Sequence, residues 1–169
     1  MEFITENGVL KKCTDYSKEK TVMIPEQIHT IGDSVFKGMK DIEEIILPDS
    51  IRVIENNAFK GCKNLKNINF PPRLSSIGDF AFHRCHALER VILPETLSSI
   101  GKGAFLYCDS MKEISLMGVK RIEMQMFANC TSLEEIWLSS ALDISNLKDD
   151  VFTGCIKIIK ILLSDGRTF

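Results

Sequence analysis

The chain has 169 residues, of which 44% are hydrophobic and 26% are charged, a balance typical of one globular domain. Its 21 basic and 23 acidic residues leave a net charge of −2, which argues against nucleic-acid binding because that function needs clustered positive charge. No stretch of about 18 consecutive apolar residues occurs, which excludes a membrane-spanning helix.

The first twenty residues differ in pattern from the rest of the chain. The segment FITENGVLKKC (3–13) places Asn7-Gly8 between two apolar-rich arms, and Asn-Gly favours the tight turn of a β-hairpin. We therefore predict an N-terminal hairpin cap over residues 1–20. The start lacks the basic flank and apolar core of a signal peptide, so the chain is expected to be cytoplasmic as it stands. If it was trimmed from a longer precursor, the cell surface or a secreted state is the alternative.

From residue 21 to residue 164 the sequence repeats at an interval of about 23 residues. The segment IENNAFKGC (54–62) returns as IGDFAFHRC (77–85) and as IGKGAFLYC (100–108). Apolar columns keep the same phase through six such repeats. Three of the columns are Phe36, Phe59, Phe82, Phe105, Phe127 and Phe152; Ile31, Ile54, Ile77, Ile100, Ile122 and Leu147; and Met39, Cys62, Cys85, Cys108, Cys130 and Cys155.

This periodicity predicts a solenoid, because one repeat has too few apolar groups for a core of its own and stacked repeats share one. The segment LKNINF (65–70) ends in alternating inward and outward residues, which is typical of a β-strand. Equivalent strands run in the same direction, so we predict one parallel sheet of seven strands, roughly 30 Å across. The predicted fold class is an α/β-type repeat solenoid with six repeats over 21–164 and an uncapped C-terminal tail at 165–169.

The repeat IENNAFKGCKNLKNINFP (54–71) resembles the BspA-like class of leucine-rich repeats, whose pattern is IxxAFxxCxxLxxIxLP. The resemblance covers residues 21–164 and implies a right-handed solenoid with a curved parallel β-sheet on its concave face. It also implies a bacterial surface protein that binds proteins or matrix components, as in adhesion, and it brings no catalytic residue and no cofactor. The chain departs from the pattern at Met39, which replaces Cys, and at 117–122 and 139–147, where the interval changes.

The cysteines could form disulfides or a ladder of free thiols. Neighbouring coils would bring the Cα atoms of the cysteine column to about 5 Å, a distance that permits disulfides. Equivalent side chains nevertheless point in parallel rather than at one another, and free cysteine packs as a small buried hydrophobe. We therefore expect reduced, buried thiols in the column, with Cys13 alone in the hairpin.

The segment HRCH (83–86) is the one metal-like cluster in the sequence. A structural zinc site needs four ligands within tetrahedral reach, and Cys85 belongs to the core column, so metal binding is disfavoured. A Cys-His nucleophile is disfavoured because a core thiol lacks the exposed, electropositive setting that activates it. The two histidines take the positions of lysines in the preceding repeat, so both are expected to be solvated.

Two columns of the strands point away from the core and vary in residue type, which is typical of a scaffold with a binding face. Trp137, the sole tryptophan, is a candidate interface anchor, with the loop 140–146 beside it at the rim. The alternative is that Trp137 only lies over its neighbours, half-buried, and Ser115 is expected to separate it from Ile92. The candidate partner-binding residues are Trp137, Ile92, Leu162, Asn69, Ile46, Arg90, Glu113 and Glu135.

The sequence therefore predicts a non-enzymatic module that binds a protein or peptide on its sheet face. The alternative is a structural spacer or recognition arm of a larger protein, without a ligand of its own. An enzyme is disfavoured because no catalytic arrangement assembles in the sequence. No cofactor, metal, nucleic acid or membrane insertion is expected. An uncovered final strand invites edge pairing, so we expect the chain to continue into more repeats or a second domain, with self-association through the C-terminal coil as the alternative.

Overall fold

The structure, a computed structural model, describes residues 2–14, 19–142, 150–166 and 168, and it contains thirteen β-strands and no helix in these ranges. The strands are β1 (Glu2–Glu6), β2 (Val9–Thr14), β3 (Thr21–Met23), β4 (Thr30–Ile31), β5 (Glu44–Ile46), β6 (Val53–Ile54), β7 (Asn67–Ile68), β8 (Ser76–Ile77), β9 (Arg90–Ile92), β10 (Ser99–Ile100), β11 (Glu113–Leu116), β12 (Glu135–Leu138) and β13 (Lys160–Leu163).

The chain forms stacked coils with two rows of parallel strands, which confirms the predicted solenoid. The front row consists of the strands that end each repeat: β3, β5, β7, β9, β11, β12 and β13. The side row consists of β2, β4, β6, β8 and β10. Identical columns pair in register, as in Ile114 with Ile136 and Ile54 with Ile77. The repeat interval in the sequence thus becomes the step from one coil to the next.

The segments that return the chain behind the front row are turns, which corrects the helical part of the predicted α/β class within the described ranges. Each segment places residues in the left-handed region of backbone space, such as Asn57 (φ 54°) and Gly61 (φ 76°) in one repeat. A right-handed helix needs a negative φ at every position, so two such residues break it into successive turns. The turns hydrogen-bond between coils instead, as from Phe59 N–H to the Ala81 carbonyl at 2.8 Å.

The chain begins with an antiparallel hairpin of β1 and β2, with Asn7 (φ 48°) and Gly8 (φ 72°) at its turn. Strand β2 then pairs in parallel with β4, so the hairpin continues the side row. Leu10 and Cys13 of β2 are buried against the repeat core. The first coil therefore has its apolar side covered by residues of the hairpin.

A column of phenylalanine rings fills the middle of the solenoid. Successive rings stack with centroids 5.2, 5.1, 5.3, 6.0 and 5.7 Å apart, and their planes differ by no more than 14°. The first five rings are fully buried and Phe152 is half-buried. Phe70 meets Phe82 edge-on at 5.6 Å, so the front row and the turns lie on opposite sides of this column. Leu147, placed in an apolar column by the sequence, lies outside the described residues.

The cysteine column has a hydrogen-bonding role that the sequence pattern does not reveal. All six cysteines are free thiols. Each repeat thiol donates its proton to the carbonyl of the stacked phenylalanine one coil earlier, as from Cys62 Sγ to Phe36 at 3.0 Å and from Cys85 Sγ to Phe59 at 3.2 Å. Cysteine is therefore suited to the column as a small apolar side chain that also supplies a weak donor.

Burial in this column raises the pKa of the thiols, to about 12 for Cys62 and well above the ordinary value of 9.0 for Cys85 and Cys108. Above about pH 9 the unfolded chain releases thiol protons that the folded chain keeps. The folded state then binds more protons than the unfolded state, so the free energy of unfolding falls as pH rises. This contribution to stability is fully present below about pH 9.

The slope of the free energy of unfolding against pH tests whether these thiols are buried. Between about pH 9 and 11 the free energy of unfolding should fall less steeply with pH in the double variant Cys85→Ala, Cys108→Ala than in the parent. The slope should be smaller by about 1.4 kcal/mol per pH unit for each thiol removed. Denaturant unfolding at several pH values measures the slope. Cys13→Ala is the matched control, because its smaller burial predicts a smaller change. Equal slopes for the parent and the double variant would contradict the burial of these thiols.

Candidate binding site

The outward side chains of the front row form one continuous surface, which we call the front face. Within each strand the residues alternate, so that Ile136 and Leu138 are buried while Trp137 between them is exposed. Register then aligns the outward residues of neighbouring coils. One column contains Met23, Ile46, Asn69, Ile92, Ser115 and Trp137, and the other contains Glu44, Asn67, Arg90, Glu113, Glu135 and Lys160.

Ile92 and Trp137 line one shared pocket of about 240 Å³, although the sequence suggested that Ser115 would separate them. The small side chain of Ser115 forms the floor between them, because strand register places it beside both. Ile92 is 69% exposed and Trp137 is 37% exposed, so both keep apolar surface open to solvent. The pocket is completed by the side chains of Arg90 and Glu113.

A second, larger opening of about 550 Å³ lies where the front row is interrupted. Strands β7 and β9 do not pair, so the front row consists of a three-stranded and a four-stranded sheet rather than the one seven-stranded sheet predicted. Asn69 follows β7 at this break. Its Oδ1 accepts a hydrogen bond from Leu47 N–H and its Nδ2 donates one to the Leu47 carbonyl, both at 2.7 Å. Asn69 is thereby bound to the preceding coil.

The opening at the break joins the two parts of the front face. Ile46 and Phe70 line it on one side, and Arg90 and Ile92 line it on the other. Arg90 and Ile92 also line the smaller pocket beside Trp137, so the two openings share a wall. Most of the predicted partner-binding residues therefore lie around one groove that crosses the middle of the front face.

Charged groups of the front face pair with one another across the coils. Arg90 Nη2 lies 3.4 Å from Glu113 Oε1, and register places Glu135 next to Glu113. At the edge of the same face, Glu43 lies between Lys20 and Lys66 at 2.7 and 2.8 Å. Hydrogen bonds from both lysines lower the pKa of Glu43 to about 2. The face therefore carries charge of both signs rather than a basic strip.

Leu162 differs from the sequence-based expectation. Register places it beside Trp137, as the columns predict, but it is only 9% exposed. The chain turns after β13, with a hydrogen bond from Gly166 N–H to the Leu163 carbonyl at 2.9 Å, and Thr168 forms an antiparallel bridge with Leu162. The returning chain covers Leu162, which therefore contributes little open surface to the front face.

The residues of HRCH (83–86) have separate partners. Cys85 donates to a backbone carbonyl in the core, and His86 Nδ1 lies 2.7 Å from Asp109 Oδ2. His83 is not solvated as expected, since both of its ring nitrogens are shielded and neither has a hydrogen bond. This burial lowers the pKa of His83 to about 4. Among the described residues no group of His, Cys, Asp and Glu is arranged to bind a metal ion.

The thiols of the cysteine column are a further set of groups whose reactivity depends on their surroundings. The raised pKa of each column thiol, caused by burial, keeps it protonated and therefore unreactive at neutral pH. No helix in these parts of the chain is long and apolar enough to cross a membrane. The loop 140–146, expected at the rim near Trp137, lies largely outside the described residues.

The sequence and the fold match known repeat proteins. Residues 29–159 match a family model described as the BspA type leucine rich repeat region, in six copies. Among curated proteins there is no match. A solved leucine-rich repeat protein of T. pallidum is 27% identical, with a TM-score of 0.83, and the match covers 92% of this chain and 75% of that one.

Two further solved structures are similar over part of their own length. A leucine-rich repeat protein from Bacteroides ovatus is 32% identical with a TM-score of 0.77, over 96% of this chain and 45% of that one. The pneumococcal vaccine antigen PcpA is 18% identical with a TM-score of 0.80, over 95% of this chain and 40% of that one, a likeness that shows the fold alone. The chain spans less than half the length of these two proteins.

The two hydrogen bonds between Asn69 and Leu47 give a test of how this side chain stabilises the preceding coil. Asn69→Ala should lower the free energy of unfolding by about 1–2 kcal/mol, because it removes two bonds to Leu47 and leaves that backbone unpaired. Asn67→Ala, two residues earlier on the same face and without a side-chain hydrogen bond described here, should change stability by less than about 0.5 kcal/mol. Chemical denaturation compares the two. Equal losses would contradict the role assigned to the Asn69 amide.

Proposed function

The chain belongs to the BspA-type leucine-rich repeat family, and from that premise we propose that it is a non-enzymatic binding module whose front face takes a protein or peptide ligand. The observation that supports this most strongly is the pocket shared by Ile92, Ser115 and Trp137. It exposes large apolar side chains on strands whose backbones are held by neighbouring coils. Tryptophan in such a setting is enriched among residues that dominate binding energy.

The variation of residue type between the inward and outward columns of the strands supports the same proposal. Inward columns of the front row are apolar throughout, Ile, Val or Leu with Phe70 as the one exception, whereas the outward column runs from Ile46 through Asn69 and Ser115 to Trp137. A core explains the uniform columns, and variation confined to one outward face is typical of a solenoid that uses that face for binding. We place this ligand on the concave side, as in other solenoid binding surfaces.

The size and chemistry of the front face favour an extended protein segment. Seven strands about 4.8 Å apart span roughly 30 Å, which accommodates about nine residues of extended chain. Exposed apolar groups at Ile46, Ile92 and Trp137 lie beside charges of both signs, including Arg90 and Glu113. An apolar centre with a polar rim is the usual anatomy of a protein interface.

Within this proposal, the ligand is a component met at a bacterial cell surface, as in adhesion. The support is that similar solved structures are leucine-rich repeat proteins of bacteria. The alternative is a spacer or recognition arm within a longer solenoid. That alternative is favoured by one observation, namely that the chain spans only 45% and 40% of two of the structures that it matches.

Peptides selected against the wild-type protein from a random display library give the direct test of the front-face proposal. Trp137→Ala and Ile92→Ala should each weaken binding of the selected peptides by about 2 kcal/mol or more while the melting temperature stays the same, because both side chains line the pocket without filling the core. Lys63→Ala, an exposed change in a turn, is the matched control. Peptides that bind both pocket variants as well as they bind the wild type would contradict the proposal.

We also propose that the last coil takes part in self-association. Ile156 and Ile159 are 79% and 74% exposed, at positions where the preceding repeat carries Thr131 and Glu134. Half-buried Phe152 and Ile158 lie on the same coil. Exposed apolar groups of this kind on one end of a solenoid suit a second copy of the same end.

Sedimentation over a range of protein concentrations tests this self-association. The wild type should form dimers as concentration rises, and the double variant Ile156→Lys, Ile159→Lys should remain monomeric because the new charges cannot be buried between two copies. Ile4→Lys, which changes an exposed isoleucine of the hairpin, is the control and should leave the dimer intact. A wild type that stays monomeric at every concentration would rule the dimer out.

A further inference from the structure

The turns on the far side of the core contain an unusual run of large side chains in left-handed backbone. In the first five repeats the residues two positions before and two positions after the stacked phenylalanine have φ between 54° and 78°, and in the sixth repeat only the later one does. Glycine, asparagine and serine tolerate this region, whereas bulkier residues adopt it at a cost. The first position holds Ser34, Asn57, Phe80, Gly103 and Gln125, and the second holds Gly38, Gly61, Arg84, Tyr107, Asn129 and Gly154.

Phe80, Arg84 and Tyr107 are the bulky exceptions that lie in two successive coils, and their side chains form one cluster. His83 joins them, with its ring centroid 5.8 Å from that of Phe80 and 6.0 Å from that of Tyr107. Lys60 Nζ lies 5.4 Å from the centre of the Phe80 ring, and Arg84 Cζ lies 5.7 Å from the centre of the Tyr107 ring. We call these five residues the turn-side patch.

A glycine in the next coil, Gly103, leaves room for the ring of Phe80. A Cβ atom added to Gly103 would lie 2.5 Å from Cε1 of Phe80, so the ring of Phe80 occupies the space that any other residue at Gly103 would fill. The strained phenylalanine is therefore matched by a glycine one coil later. Tyr107 remains 38% exposed and Arg84 is exposed, so both face solvent.

The polar groups of the patch lack partners within the described part of the chain. The ion pairs there involve Lys20, Lys66, Lys112, Arg90 and His86, but neither Lys60 nor Arg84. Both cations lie over aromatic rings instead. His83 has no hydrogen bond at either shielded ring nitrogen, an arrangement that weakens a fold rather than stabilising it. Strain, unpaired cations and an unsatisfied imidazole thus coincide at one place.

When several groups that lower the stability of the fold occur together at one location, they are a reason to infer a function there. We propose that the turn-side patch is a second binding surface, separate from the front face, and that it takes an acidic segment of a partner protein in which carboxylates flank an aromatic or aliphatic residue. Lys60 and Arg84 meet the carboxylates, and the exposed ring of Tyr107 and the half-buried ring of Phe80 meet the apolar residue. Arginine and tyrosine are both enriched among the residues that dominate interfaces.

The chemistry of the patch favours a peptide over a polyanion. A nucleic acid or sulfated polysaccharide is bound by a strip of many cations, whereas this patch has two cations among three rings. The patch is separate from the front face because none of its five residues lines either opening there. The two surfaces can therefore be occupied independently.

The probes for a test are synthetic peptides of about twelve residues with two glutamates flanking a tyrosine or leucine at every spacing. Each is compared with the same peptide carrying glutamine, and with low-mass heparin, by fluorescence polarisation. We expect the best glutamate peptide to bind at least about tenfold more tightly than its glutamine counterpart and than heparin. A lack of glutamate preference at every spacing would overturn the proposal, and stronger binding to heparin would overturn the choice of an acidic peptide.

Two variants separate binding from folding. Arg84→Asn and Tyr107→Asn introduce the residue that Asn129 has in the same column, and Asn tolerates the left-handed backbone. Each should weaken binding of the glutamate peptide at least about tenfold while the melting temperature is unchanged or higher. Lys37→Ala, at the position of Lys60 two coils away from His83, is the control and should bind as the wild type does. A lower melting temperature with unchanged binding would show that the side chains serve packing and would overturn the proposal.

Discussion

The rest of the structure depends on the similarity of two distances, the spacing of the stacked phenylalanine rings and the spacing of the parallel strands. Stacked phenylalanine rings are separated by 5.1–6.0 Å along the solenoid, and hydrogen-bonded parallel strands are about 4.8 Å apart. Both spacings must be met where coils stack, since each inner ring has a ring above and below it and most strands pair with their neighbours. A residue on the inside is therefore constrained by two coils at once, and the apolar columns vary little.

The backbone polar groups follow the same constraint. Each of the first five stacked phenylalanines has its carbonyl bound by a cysteine thiol of the next coil, as at Phe82 and Cys108, and its N–H bound to a carbonyl of the next coil, as at Phe82 and Ala104. Buried peptide groups away from strands would otherwise be left unsatisfied, at a cost to stability. The cysteine column is thus part of the hydrogen bonding between coils as well as part of the core.

Sequence periodicity predicts this inner half of the molecule well and the outer half poorly. The columns of Phe82, Cys85 and Ile54 are visible in the sequence because every repeat has the same requirement. The contact between Asn69 and Leu47 is not visible, because it joins two repeats through a side-chain amide and no spacing rule describes it. The burial of His83 depends in the same way on rings from two coils, and that of Leu162 depends on the returning chain at Thr168.

Binding on the front face is the central claim, and site-specific photo-crosslinking tests it most directly. A photoreactive amino acid placed at Ser115 lies on the floor of the pocket, and the same group at Ser99 lies on the side row as a matched serine position. With a peptide selected on the wild-type protein, the account predicts crosslinks from position 115 and none from position 99. Crosslinks from position 99 alone would place the ligand on another surface and contradict the claim.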